Sequence, residues 1–517
     1  MEGTGGAVRG GRPDGLPGSA AWELLLPSVA VAPRRRGRAL QSALREAVRS
    51  GRLTAGTRLP SSRELAADLG VSRGLVTEAY EQLTAEGYLR SSRGAGTWVG
   101  EAARAAVPGA RDLAPRPAGV QVDFRPGTPD LSLFPRTAWA AANKAVLSRL
   151  PHRALGYPDP RGLPELRTAL AALLTRRRGV VADPERVVVC SGVAQAMTLL
   201  GSVLHARGLR EIGVEDPGSP EHDGLFSSAG LRTVGLPLDG EGLTPGPLRA
   251  AGVRAVVTTP SHQFPSGIAY SAERRAVLLD WARAVDGYVI EDDYDGDFRY
   301  DRAPVGALQG LDPERVLYAG SVSKSLAPGL RLGWLLVPGE LADEIVERKR
   351  TADLGHPALD QAVLADFVTR GGYDRQLRRC QRAYRERRDV LIAALREHLP
   401  GTEVTGIAAG LHVIARVPGV YGPAPVFLRR AAAAGVGLRP LSDCRTARPR
   451  GGAYGEGDGD VGGDAAGGGD TARIGDTAAG GGVRLVVGYA HLPPSDIERG
   501  VRMLARAVSP RRRPHPG

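Results

Sequence analysis

Lys324 stands among serines in "SVSKSLAPGLRLGW", Ser321 to Trp334, and Arg331 follows it. A primary amine flanked by hydroxyls, with a guanidinium close behind, can capture a carbonyl compound that also carries an anion. Read alone, the stretch is a solvated loop; its company changes that reading. Upstream, "GYVIEDDYDGDFRY" reads as a strand ending at Asp292 and Tyr294. Strands of α/β proteins deliver functional groups at their carboxyl ends. Further upstream, "RVVVCSGVAQAMTLLGSVL" reads as strand, Ser-Gly turn and helix. That order leaves the N–H groups of Gly192 and Val193 free for an anion.

Pyridoxal phosphate needs this set of groups. Lys324 supplies the amine for its aldehyde. Asp292 supplies the carboxylate that keeps a ring nitrogen protonated, and Tyr294 a hydrogen bond to the phenolic oxygen. The phosphate finds the N–H groups of Gly192 and Val193, the hydroxyls of Ser321 and Ser323, and Arg331. His262 and His412 read as structural or pocket-lining, because no carboxylate partner accompanies either in sequence.

The elements that must hold these groups follow from patterning. From Asp123 onward, strand-like runs such as "RVVVC", "EIGVED", "RAVVTT", "GYVIEDD" and "RVLYAG" alternate with amphipathic helices. The alternation predicts an α/β domain with a largely parallel sheet over 123–510. At 517 residues the chain exceeds one ordinary domain. Residues 1–20 are Gly-rich and read as a disordered tail. Residues 101–122 read as an Ala, Pro, Gly and Arg-rich linker. Residues 445–482 hold almost no large apolar side chain and read as a flexible insertion. Net charge is +12, carried mostly by arginine, which favours phosphate-bearing partners. The three cysteines are widely spaced and give neither a disulfide framework nor a zinc motif, so no metal is expected and the compartment reads as a reducing cytoplasm. No apolar run is long enough to span a bilayer, and Glu23 and Pro27 interrupt the early segment "AAWELLLPSVAVA".

Residues 21–100 carry a different logic. Leu40, Leu44 and Val48 share one helix face. Ser61 and Glu64 form a capping box ahead of Leu65 and Leu69, Gly70 makes a turn, and Ser72 caps a second helix. Two short helices across a Gly turn predict a helix–turn–helix that presents Arg73, Gly74 and Thr77 to double-stranded DNA. "YLRSSRGAGTWV" then reads as a strand–turn–strand wing carrying Arg93.

The motifs "LPSSRELA", "LGVSRGLV" and "EGYL…GAGTWV" resemble the GntR-type winged helix–turn–helix over Leu40 to Val99. That resemblance implies DNA contacts from Arg63, Ser72, Arg73, Thr77, Arg93 and Gly94, with Gly74 standing where Thr or Asn is frequent. The segments "DFRPGTPDLSLFP", "GYPDPRGLPELRTALAALLTRRRGV", "TPSHQFPSG", "SVSKSLAPGLRLGW" and "RRCQRAYRERRDVLIAAL" resemble fold-type-I aminotransferases. Together the halves resemble a MocR/GabR-type transcriptional regulator. The resemblance implies a multidomain chain: a small α+β winged head, then an aminotransferase-like α/β domain holding pyridoxal phosphate, assembled as a homodimer. It implies a role in sensing an amine, an amino acid or pyridoxal phosphate itself, with Arg484 of "GVRLVVGYAHLPPSDIERGV" holding an effector carboxylate. The alternative is a working aminotransferase with a DNA-binding appendage. Two departures weigh against efficient turnover: Ser219 replaces a ring-stacking aromatic, and Glu221 replaces a second carboxylate-binding arginine.

Overall fold

The computed structural model describes residues 36–92, 96–100, 119–300, 305–446 and 482–509. The predicted tail 1–20 lies outside the described residues, as do most of the linker 101–122 and nearly all of the insertion 445–482. The chain divides into two compact units, Met1–Arg116 and Pro117–Gly517.

In the first unit, helix Arg36–Arg49 buries Leu40, Ala43, Leu44, Ala47 and Val48 on one face. Helix Ser62–Asp68 opens with the predicted capping box: Glu64 N–H donates to Ser61 Oγ at 3.3 Å, and Ser61 N–H donates to Glu64 Oε2 at 2.8 Å. Gly70 turns the chain with φ +61°, a conformation that glycine adopts without strain. Helix Arg73–Ala85 follows, capped by Ser72, and buries Val76, Ala79, Tyr80 and Leu83. Strands Leu89–Ser92 and Gly96–Val99 pair antiparallel, and Arg58–Leu59 adds a third strand beside the latter.

The second unit is built on an eight-stranded sheet. Its spatial order is Val187–Cys190, Gly333–Leu336, Val316–Ser321, Tyr288–Asp292, Ala255–Thr258, Glu211–Asp216, Arg232–Asp239, Gly242–Leu243. Only Gly333–Leu336 and the short edge strand Gly242–Leu243 run against the rest. Val187, Val188, Val189 and Cys190 are all fully buried. A strand covered on both faces reads as a continuous apolar run rather than an alternating one, as "VVVC" does. Because these strands share a direction, Cys190, Asp292 and Ser321 all end at one carboxyl edge. A four-stranded antiparallel sheet, Glu403–Thr405, His412–Val417, Val483–Gly488 and Arg439–Pro440, stands apart from it. The three cysteines are buried and free. Among the described residues no helix is long and apolar enough to cross a membrane.

Candidate functional site

The head presents its predicted DNA face to solvent. Arg63, Ser72, Arg73 and Gly74 are exposed and Thr77 is half-buried. Ser72 Oγ accepts from Leu75 N–H at 3.4 Å, which fixes the start of the second helix. Thr77 Oγ1 donates to the Arg73 carbonyl at 3.0 Å, and Arg73 Nε reaches Ser62 Oγ at 3.5 Å. No heavy atom lies within 4 Å of where a Cβ would stand on Gly74, so backbone can approach a groove there. Arg93 and Gly94, at the tip of the predicted wing, lie outside the described residues.

In the second unit the carboxyl edge of the sheet opens onto a cavity of about 390 Å³. Lys324, Asp292, Tyr294, Val193, Ser321, Ser323 and Arg331 all line it. Residues far apart in sequence are thus gathered as expected. Lys324 Nζ donates to the Gly127 carbonyl at 2.5 Å. Burial pushes its ammonium below the usual lysine range, and the nearby carboxylates of Asp292, Asp295 and Glu221 restore part of the shift. Helix Gly192–Ala206 points its amino end at the cavity; Val193 and Ala194 line the wall. Gly192 has φ +76°, and a Cβ there would fall 2.9 Å from Arg331 Nη2. Only glycine lets the guanidinium lie against the helix start, where Arg331 donates to the Ser191 carbonyl.

Three observations fit pyridoxal phosphate. Asp292 Oδ1 is buried and has no hydrogen-bond partner among the described residues, an acceptor waiting for a donor. The glycine start of a helix beside Arg331, Ser321 and Ser323 is a cradle for a dianion. Lys324 supplies the amine between them.

One expectation needs correction. His262 does have a carboxylate partner: its Nδ1 lies 2.8 Å from Asp295 Oδ2 and 3.0 Å from the Tyr294 hydroxyl. The fold brings Asp295 to it across more than thirty positions of sequence, which no local reading of "TPSHQFPSG" reveals. Burial raises the Asp295 carboxyl above its usual range, opposed by His262, and pushes the Tyr294 phenol well up. His412 lines the cavity with Nε2 3.0 Å from the Pro265 carbonyl. Burial, helped by His262, pulls its pKa down to about 3. A histidine that refuses a proton only when folded destabilises the fold as pH drops from about 6.5 toward 3, because the unfolded chain takes up the proton. Replacing His412 by Gln is therefore expected to flatten the fall of denaturant midpoint across that window.

Other site residues gave little sequence signal. Arg178, the last residue of helix Pro164–Arg178, reads as a solvated basic end in "LLTRRRGV", yet it is 2% exposed. It donates from Nε to Asp293 Oδ2 at 2.6 Å and from Nη2 to Asp293 Oδ1 at 3.0 Å and Ser261 Oγ at 2.9 Å. Asp293 separates Asp292 from Tyr294, so this pair holds the strand end in place. His222 Nε2 lies 3.7 Å from Asp292 Oδ2 and, with Phe264, supplies a ring to the wall where Ser219 cannot. Arg484 is half-buried on Val483–Gly488, opposite Arg416, and is not among the side chains lining the cavity. On the neighbouring strand of that sheet, Arg439 does line the cavity, as Arg331 does from the larger sheet's side.

The fold and the site define a pyridoxal-phosphate-type aminotransferase domain preceded by a winged helix–turn–helix head. Residues 121–433 match the aminotransferase class I and II family, a pyridoxal-phosphate-dependent fold, and residues 37–99 match the GntR family of bacterial regulatory proteins. A probable rhizopine catabolism regulatory protein, MocR, of Rhizobium meliloti is 36% identical over 429 residues, 78% of this chain and 86% of that one. A pyridoxine biosynthesis transcriptional regulator, PdxR, of Corynebacterium glutamicum is 34% identical over 380 residues, 72% of this chain and 82% of that one. Among solved structures, an archaeal alanine:glyoxylate aminotransferase superposes with a TM-score of 0.62 at 26% identity, over 75% of this chain and 90% of that one. The α-aminoadipate aminotransferase LysN of Thermus thermophilus, bound to N-(5'-phosphopyridoxyl)-L-leucine, gives 0.61 at 27%, over 76% and 92%. The chain belongs to the MocR-type family of HTH transcriptional regulators, a GntR DNA-binding domain joined to an aminotransferase-like domain.

Proposed function

We propose that occupancy of the Lys324 cavity sets how the regulator binds its operator. The observation that carries this reading is the unpartnered, buried Oδ1 of Asp292 in the same cavity as the Lys324 amine. When bound, pyridoxal phosphate supplies an electrophilic aldehyde and an electron-withdrawing ring. Lys324, eased toward its neutral form by burial, is the nucleophile. Asp292 holds a proton at the ring nitrogen, and Tyr294, steadied by His262 and Asp295, hydrogen-bonds the phenolic oxygen. Gly192, Val193, Ser321, Ser323 and Arg331 hold the phosphate. An amine, an amino acid or the cofactor itself is the effector, acting in a cytoplasmic homodimer whose two heads reach paired half-sites.

A ligand shifts such an equilibrium only by its differential affinity for the two arrangements, so a coupling of ~1–3 kcal/mol changes DNA affinity about 5- to 150-fold. Operator titrations with and without cofactor and candidate amines measure it. An affinity and footprint indifferent to occupancy overturn the proposal.

In the head, Arg63, Ser72, Arg73, Gly74 and Thr77, with Arg93 and Gly94 of the wing, contact DNA. Arg73→Ala is expected to weaken operator binding by about 1–3 kcal/mol. Fluorescence anisotropy against operator and scrambled DNA separates its two roles. A base contact loses discrimination, whereas a phosphate contact weakens both alike and lowers the salt slope.

A second reading, a working aminotransferase, is favoured by the completeness of the set Lys324, Asp292 and Tyr294. Amino acid should then convert the cofactor's visible absorbance band, and a keto acid should restore it.

A further inference from the structure

Two opposite charges line the cavity without neutralising each other. Glu221, in the first turn of helix Glu221–Ser228, has a carboxylate whose Oε2 accepts from Ser219 Oγ at 2.7 Å. No cation lies within ion-pair distance of it among the described residues. Arg439, half-buried on strand Arg439–Pro440, has no carboxylate within 4 Å and no hydrogen-bond acceptor among the described residues. Desolvation raises the Glu221 carboxyl, but the Ser219 hydrogen bond and, more weakly, nearby Arg439 and His222 leave it below its usual range. Glu221 and Arg439 are nonetheless not in contact. An exposed carboxylate and a half-buried guanidinium that line one cavity but stand apart are suited to a ligand carrying both complements.

The rest of the lining agrees. Leu225, Phe264 and Leu411 offer apolar surface for a short methylene chain. His412 stays neutral and adds no competing charge. Glu221 is also one of the carboxylates acting on Lys324, so its field reaches the amine end of the cavity.

We propose that this cavity selects an α-amino acid bearing a second cationic nitrogen on its side chain, with Arg439 holding the carboxylate and Glu221 the distal cation. This rests on reading the cavity as an effector site and names the effector's chemical class. A monoamino acid with an apolar side chain leaves Glu221 unpaired. A dicarboxylic amino acid sets an anion against it. A diamine without a carboxylate leaves Arg439 unpaired. Either way the ligand forfeits a charge-assisted hydrogen bond.

The test uses the full cofactor-loaded chain and four probes: L-lysine, L-ornithine, L-norleucine and L-2-aminoadipate, each titrated by calorimetry and in operator binding. Lysine or ornithine is expected to bind about 10- to 100-fold tighter than norleucine, with 2-aminoadipate weakest. Glu221→Gln should collapse the lysine-to-norleucine ratio toward one. Arg439→Gln should weaken both while keeping the ratio. Thermal melts confirm that each variant is folded, and the wild-type panel needs no variant. If norleucine matches lysine, or the ratio survives Glu221→Gln, the charge assignment is overturned while amino acid sensing stands. If no probe binds, the amino acid effector reading falls, and the selectivity with it.

Discussion

Lys324→Ala is expected to abolish covalent retention of pyridoxal phosphate. After incubation with cofactor and reduction with borohydride, the wild-type chain should carry a mass label on the peptide containing residue 324 and the variant none. The expectation follows from position. Lys324 is the lysine that lines the cavity holding Asp292 and the amino end of helix Gly192–Ala206. Its ammonium is disfavoured by burial, so a larger fraction is the nucleophilic free amine near neutrality than for a solvated lysine. Capture by the wild-type chain should therefore persist to lower pH than capture by an exposed lysine. A labelled Lys324→Ala chain would remove the chemical basis of the proposed sensing.

Arg178→Met should cost about 3–5 kcal/mol of stability in the second unit. The guanidinium is buried on a fork of bonds to Asp293, with further donations to Ser261 and, at 2.9 Å, the Val305 carbonyl. Removing it strands the Asp293 carboxylate, which also accepts from the Tyr318 hydroxyl, close to Glu291, Asp295 and Asp297. Of these, Asp293 is ion-paired to that cation, and Glu291 and Asp297 are held down by it as well. Urea unfolding of the full chain measures the loss, and the head's transition serves as an internal control. Double replacement with Asp293→Asn should recover part of the cost, because no stranded charge remains. Equal stability of Arg178→Met and wild type would refute this account.

How much was legible depended on whether the signal was local. The head was readable almost residue by residue, because a capping box, a Gly turn and 3.6-residue spacing are short-range codes that the structure repeats at Ser61, Glu64, Gly70 and Val76. The parallel sheet was readable from continuous apolar runs, which only doubly covered strands afford. The cavity's chemistry was readable where a residue type has few other uses, as with Lys324 and Asp292. Side-chain partners set by long-range folding were not. Asp295 meets His262, Asp293 meets Arg178 and Gly127 meets Lys324 across gaps that no pattern encodes. Arg439 and Arg484 show the same limit. Both are arginines on neighbouring strands of one small sheet, and only the register of that sheet decides which of them faces the cavity.

The hydrogen bond from Lys324 to Gly127 has a mechanical consequence. One nitrogen cannot both keep that carbonyl and join an aldehyde carbon in the same posture, so a Lys324 engaged by an aldehyde would release the Gly127 carbonyl. Gly127 lies ten residues beyond Pro117, the first residue of the second unit. Occupancy of the cavity would thus release backbone close to where the second unit begins.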